Sequence, residues 1–284
     1  MRSFSVATIA ACSAVAFMQV ASAADMPVKA SVYKAPPPAQ VYNWTGFYVG
    51  ANGGYGWGDP SYSIAPDSDA ARLFILSHDL RSGAFDVSGG VVGGQLGYNW
   101  QISPKWVTGL EADFGYARLR GNSSITTRAL FGDTVNHTYE TKLDWLGTIR
   151  GRLGFLPTEN FLIFATGGVA YGRTSANQST TNLTYKGVYF QGVFPDGSTL
   201  FCVGGTCTSG GGSKTSVGWT IGGGMEYAIW KNITLKAEYL YVDLGDQTIH
   251  PLSQSFSGSA PTSIAVAYRS NTYNIVRGGI NFRF

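Results

Sequence analysis

From Asp144 the chain reads DWLGTIRGRLGF, and its residues divide by parity. Trp145, Gly147, Ile149, Gly151, Leu153 and Phe155 share one face, while Asp144, Thr148, Arg150 and Arg152 share the other. A period of two with one apolar and one charged face marks a β-strand. The split recurs from Trp106, where Trp106, Thr108, Leu110, Ala112, Phe114 and Tyr116 oppose Val107, Gly109, Glu111 and Asp113. It recurs from Val217, with Trp219, Ile221, Met225, Tyr227 and Ile229 opposite Thr220, Gly222, Gly224 and Glu226. Ile233, Leu235, Ala237, Tyr239 and Tyr241 likewise oppose Thr234, Lys236 and Glu238, and Val276, Ile280, Phe282 and Phe284 oppose Arg277, Asn281 and Arg283. Runs from Gly46 (GFYVGANGGYGW), Ser88 (SGGVVGGQLGYNW) and Asn160 (NFLIFATGGVAYG) supply three more strands and bring the total to eight. Short connections at Ile102 to Pro104, Leu156 to Asn160 and Trp230 to Asn232 alternate with long ones of roughly twenty to forty residues. An even strand number puts both termini on the short-turn side.

Period two alone does not choose between water and lipid, because a soluble barrel alternates in the same way. The aromatic residues choose. Trp145 and Phe155 lie on one face ten residues apart, which at ~3.3 Å per residue and ~40° tilt spans about 25 Å, the height of an outer-membrane apolar band. Trp57, Tyr116, Tyr171 and Tyr241 fall near the long loops, and Trp100, Trp106, Phe161, Trp230 and Phe284 near the short turns, as two interfacial girdles require. A charge facing lipid at the midplane costs roughly 2 to 4 kcal/mol, so the charged face must line the interior. The expected lumen residues are Glu111, Asp113, Arg150, Arg152, Glu226, Lys236, Glu238, Arg277 and Arg283. An eight-stranded lumen is only wide enough for side chains to fill it, so these charges are expected to pair into a plug rather than to line a channel. The predicted fold is all-β: an eight-stranded antiparallel up-and-down transmembrane β-barrel with short periplasmic turns and long extracellular loops.

Composition agrees. The 284 residues include 38 glycines, and 14% are aromatic but only 13% charged, against about 25% charged in a typical soluble domain. Abundant glycine disfavours long helices, and the aromatic mass excludes disorder. The net charge of +3 is scattered, without the basic clusters of a nucleic-acid surface, so nucleic acid is not an expected partner. At the N-terminus, Arg2, an apolar run from Phe4 to Val20 and the small residues Ala21-Ser22-Ala23 read as a signal peptide over residues 1–23, cleaved between Ala23 and Ala24. Residues 24–43, with Pro36-Pro37-Pro38 and no apolar period, read as an extended periplasmic tether, and residues 44–284 as the barrel. Cleavage removes Cys12. Cys202 and Cys207 remain and are expected to form a disulfide in an exported protein.

The segments WTGFYVGANGGYGWG from Trp44, GGQLGYNWQ from Gly93, WVTGLEADFGYA from Trp106, WLGTIRGRLGF from Trp145, LKAEYLYVDLG from Leu235 and NIVRGGINFRF from Asn274 resemble the alphaproteobacterial outer-membrane immunogenic proteins of Brucella and the rhizobia. The resemblance implies location in the cell outer membrane and a role in stabilising the envelope. Haem or lipopolysaccharide binding and weak pore activity are attributed to various members, which leaves a small porin-like channel and a loop-borne receptor as alternatives. Phe284, preceded by Phe282 and Ile280, is similar to the C-terminal signal read by the barrel-assembly machinery. The implied partners are outer-membrane lipids and lipopolysaccharide, that machinery, and peptidoglycan through a processed terminus at Ala24.

Other motifs carry less. GGGSKT from Gly210 places Ser213 where a phosphate-binding loop needs glycine, and no helix follows. His78, His137 and His250 fall on the long-loop side without metal-site spacing. Parity counted from Trp145 would point His137 outward, with Thr138 as its nearest hydroxyl, and His78 or His250 would be the residues for capturing haem. Neither an enzyme nor a resident cofactor or metal is expected.

Overall fold

The computed structural model describes residues 42–128, 132–184, 189–193, 199–202, 205–253 and 263–284. The predicted signal peptide, the Ala23–Ala24 junction and the tether as far as residue 41 lie outside the described residues.

Eight long strands form the wall: β1 (Gly46–Gly58), β2 (Val87–Ser103), β3 (Trp106–Arg128), β4 (Thr134–Thr158), β5 (Phe161–Asn182), β6 (Thr206–Ala228), β7 (Ile233–Asp243) and β8 (Thr272–Arg283). Each pairs antiparallel with the next, and β8 pairs back onto β1, with Tyr48 opposite Arg283 and Trp57 opposite Asn274. The ring therefore closes without an edge, which satisfies every wall strand on both sides. Closure also explains much of the glycine. A Cβ added at Gly224 would collide with the Ala237 carbonyl oxygen, so that inward position on β6 has room only for hydrogen.

The wall changes polarity along its height. Toward the turns, apolar side chains face out and polar ones face in: Ile149, Leu153 and Phe155 of β4 are exposed while Thr148, Arg150 and Arg152 are buried. Toward the loops the order reverses, and Val135, Tyr139 and Leu143 of the same strand are buried. On β8, Tyr273 and Ile275 point in while Ile280 and Phe282 point out. A strand that leaves lipid for water must move its apolar residues to the inside, because the solvent on its outer face has changed.

On β4 that reversal uses an irregularity. Pairing with β5 shifts between Leu143 and Trp145, opposite a shift between Tyr116 and Leu119 of β3, and the alternation of β4 skips at Asp144. Two expectations fall there. Asp144 does not share the inward face of Thr148, Arg150 and Arg152; its carboxylate accepts from the Ser175 hydroxyl at 3.0 Å. His137 points inward, buried, because one extra residue inverts the parity counted from Trp145.

The connection between β3 and β4 also differs from expectation. The sequence between the two membrane segments reads as a long loop, yet the strands run on to Arg128 and from Thr134, leaving only residues 129–133 between them. Thr- and Ser-rich stretches such as GNSSITTR have strand propensity but no apolar outer face, so a membrane-strand pattern does not register them. β5 and β6 extend in the same way. GGGSKT accordingly lies within β6, in extended backbone.

The loop end is closed by a small folded cap. Strands Ser61–Pro66, Gly83–Ala84, Gln247–Ile249 and Ile264–Arg269 form a four-stranded sheet drawn from the β1–β2 and β7–β8 connections. Helix α1 (Asp69–Ser77) is N-capped by Ser68, whose hydroxyl accepts from the Ala71 amide at 3.1 Å. Tyr62, Phe74, Phe85, Val266 and Tyr268 of the cap pack with Leu119, Tyr139, Leu143, Leu240 and Ile275 of the wall in one apolar cluster. Tyr62 and Tyr139 stack at 4.1 Å.

Candidate functional site

Below that apolar layer lies the charge cluster. Arg150 of β4 is its hub, with its side chain fully buried. It pairs with Glu111 and, at 2.7 Å and 3.1 Å, with Asp113 of β3 and Glu238 of β7, while its Nε donates to the Thr148 hydroxyl at 2.8 Å. Arg277 of β8 joins Asp113 at 2.7 Å and Glu238. Arg152 reaches Glu226 at 2.8 Å and lies over the Phe164 ring at 4.2 Å. Lys236 of β7 reaches Glu111 at 2.6 Å and Glu238 at 3.2 Å.

The pairing register brings some of these together locally, since Glu111 lies opposite Arg150 and Glu238 opposite Arg277. It does not explain the rest. Lys236 lies opposite Glu226 in register, yet its ammonium bonds Glu111. In the closed ring β7 and β3 are diametrically placed, so this contact crosses the lumen. Arg150 to Glu238 and Arg277 to Asp113 cross it obliquely.

Of the nine expected lumen charges, eight meet in this cluster and Arg283 does not. It lies at the turn end, its guanidinium carbon 5.1 Å from the Tyr42 ring centroid and 5.2 Å from that of Trp44, and it makes no ion pair among the described residues. Inward uncharged residues that the charge count passed over complete the cluster. The Tyr48 hydroxyl donates to Glu111 at 2.7 Å, Asn281 donates to Glu226 at 2.9 Å, and Asn52 donates to Gln95 at 3.0 Å. Their signal was available, since each is a polar residue at an inward parity position of β1, β2 or β8.

Both ends are filled. At the turn end Trp44 is buried with Val107, Leu156, Leu162 and Phe164, its amide donating to Gln101 at 3.0 Å and its indole to the Glu159 carbonyl at 2.9 Å. Above the cluster, a void of about 20 Å³ lined by Asn52, Asp113, Ala117, Leu146, Ile275 and Arg277 has room for about one water.

The outer wall carries the two aromatic rings. Trp100, Trp106, Trp230 and Phe284 are exposed near the turns, and Trp57, Tyr116 and Trp219 near the loops. Phe284 follows β8, its amide donating to the Phe47 carbonyl at 3.0 Å.

Residues 8–273 match the family model described as outer membrane protein beta-barrel domain. The chain belongs to this family. It is 35% identical to the 31 kDa outer-membrane immunogenic protein of Brucella melitensis over the full length of both chains. It is 28% identical to a 22 kDa outer membrane protein of Rhizobium leguminosarum, covering 85% of this chain and 79% of that one. Among solved structures, OprG of Pseudomonas aeruginosa aligns with 85% of this chain and 98% of its own at 13% identity and a TM-score of 0.38. The cell outer membrane is thus the location of this barrel, and its aromatic rings are bilayer girdles.

The histidines separate into two environments. His78, which caps α1, is buried, and Thr127 donates to its carbonyl at 2.7 Å. His137 lies against it, with Nε2 at 3.3 Å from the same carbonyl and Nδ1 at 3.1 Å from the Thr180 hydroxyl. Burial pushes His78 down to about 4 and lowers His137 as well, so both are neutral at pH 7. Neither ring is presented to a ligand outside, which removes His78 as a haem-capturing residue. His250 is exposed, with Nδ1 at 2.9 Å from Asp67. Cys207 is disulfide-bonded. The side chain of Cys202 lies outside the described residues.

Proposed function

We propose that this protein is a structural outer-membrane barrel with a non-conducting lumen, contributing to the integrity of the cell envelope. The observation that carries the reading is the cross-lumen cluster: four acids and four bases, all buried, braced from β3 to β7, with apolar layers above and below. Such a cluster would favour rigidity over transport, because an ion entering it would have to displace pairs held in low dielectric. No catalytic step is assigned to it. Each of its four carboxylates is held by at least two buried cations or hydroxyls. Outer-membrane lipids and lipopolysaccharide would surround the girdles, the assembly machinery would read the strand ending in Phe284, and the tether would reach toward peptidoglycan.

The test is conductance of the purified, refolded protein in planar bilayers, alongside detergent sensitivity of cells lacking it. The proposal expects no stepwise current and a more permeable envelope in the deletion strain. Regular unitary steps abolished by denaturation would replace it with a pore.

A further inference from the structure

The turn end of the lumen holds a cation that the ion cluster does not use. Glu111, Asp113, Glu226 and Glu238 are matched in number by Arg150, Arg152, Lys236 and Arg277, which leaves Arg283 as a surplus positive charge. Arg283 is only 4% exposed, and its Nε and Nη1 have no hydrogen-bond partner among the described residues. The Tyr42 hydroxyl is also buried, with its oxygen within reach of the Arg283 guanidinium and no acceptor for its O–H among the described residues. The two ring faces over the guanidinium offset part of the cost of burying it, but they supply no counter-charge. Two unpartnered N–H groups, an O–H without an acceptor and a cation without an ion-pair partner among the described residues make a buried site that is rich in donors.

We propose that this site binds a carboxylate arriving from the periplasmic side, held by Arg283 and the Tyr42 hydroxyl. A carboxylate fits on two counts. Its two coplanar oxygens match the forked N–H geometry of a guanidinium, and its single negative charge equals the surplus. A water molecule would satisfy hydrogen bonds but leave the charge uncompensated. The entry side is defined by what is tied down. Trp44 is fixed by its bonds to Gln101 and the Glu159 carbonyl, and the Thr45 hydroxyl accepts from the Gln101 amide at 3.0 Å. Tyr42 precedes these anchors and is half-buried, so in this proposal it marks the side from which a ligand would enter. The carboxylate can belong to a small free acid or to the end of a cell-wall stem peptide, since both share this chemistry.

The experiment uses the whole mature chain refolded in detergent micelles with 15N-labelled arginine, the Arg283 Nε–H resonance being assigned from its loss in Arg283→Lys. Sodium acetate is titrated against a sodium chloride control, followed by a soluble stem peptide ending in D-alanine. Acetate should shift the resonance saturably where chloride does not. Binding should weaken about ten- to a hundredfold in Arg283→Gln, the loss of charge-assisted hydrogen bonds, and a few-fold in Tyr42→Ala, which keeps the cation. Tighter binding of the stem peptide than of acetate assigns the site to the wall; equal or weaker binding assigns it to free acids. Absence of a saturable shift, an equal response to chloride, or undiminished acetate binding by Arg283→Gln measured calorimetrically would overturn the proposal. None of these readouts depends on whether the lumen conducts.

Discussion

The contact between Lys236 and Glu111 crosses the full width of the lumen, and a double-mutant cycle on that pair tests whether the barrel is braced from within. Glu111→Gln leaves Lys236 buried with one remaining carboxylate, Glu238 at 3.2 Å. Lys236→Met leaves Glu111 with Arg150 and, more distantly, Arg152 at 3.9 Å. Removing one partner of a buried pair costs about 3 to 5 kcal/mol, and the surviving neighbours here place each single variant near the lower end, ~3 kcal/mol. The double variant removes one charge of each sign and restores neutrality in the cluster. Its cost should therefore be close to that of one single variant, giving a coupling of about 2 to 3 kcal/mol. The assay is urea unfolding from lipid vesicles, followed by tryptophan fluorescence and by the gel mobility difference between folded and heated protein. Additive costs, with coupling below about 0.5 kcal/mol, would refute the cross-lumen brace and imply that each residue is satisfied by its own wall neighbours.

Three further outcomes are expected. Ile149→Arg, at a lipid-facing position of the wall, should destabilise the vesicle-embedded barrel by about 2 to 4 kcal/mol, while Thr215→Arg, beyond the Trp219 girdle, should change stability by less than about 0.5 kcal/mol; equal effects in urea unfolding would misplace the bilayer. Because burial lowers His78 to about 4, below the ~6.5 of an unfolded chain, acid protonates the open form first; stability of the cap should fall as pH drops from about 6.5 to 4, by about 3 kcal/mol in all, and hydrogen exchange of the α1 amides should report the loss. That slope should flatten in His78→Gln, and an unchanged slope would assign it to another group. Gly224→Ala should abolish most refolding, measured by gel mobility, because its Cβ would meet the Ala237 carbonyl; normal yield would show that β6 and β7 can separate there.

Much of the membrane-embedded wall was legible in the sequence, and for a definite reason. Within the bilayer both faces of a strand are constrained, the outer by lipid and the inner by a lumen too narrow for anything but side chains, so parity at Trp145, Ile149 and Arg150 states which way each residue points. Eight strands, their short turns, the girdles and eight charges gathered in the lumen follow from that rule. The rule weakens where the solvent changes. Beyond the girdle β3 and β4 continue as strands with polar outer faces, and a single irregularity at Asp144 turns His137 inward, which no count from Trp145 could register.

The cap was not legible, because its sheet joins Ser61–Pro66 to Ile264–Arg269, some two hundred positions apart, and the alternation of IAVAYR names no partner by itself. Partner choice inside the lumen was equally out of reach. The sequence by itself determined which residues face inward, since that depends on local alternation and the cost of charge in lipid. Only closure of the ring decided that Lys236 meets Glu111 rather than its register neighbour Glu226, and that Arg283 stands apart beneath Tyr42 and Trp44, because those distances are set by the diameter and stagger of the barrel and not by any spacing along the chain.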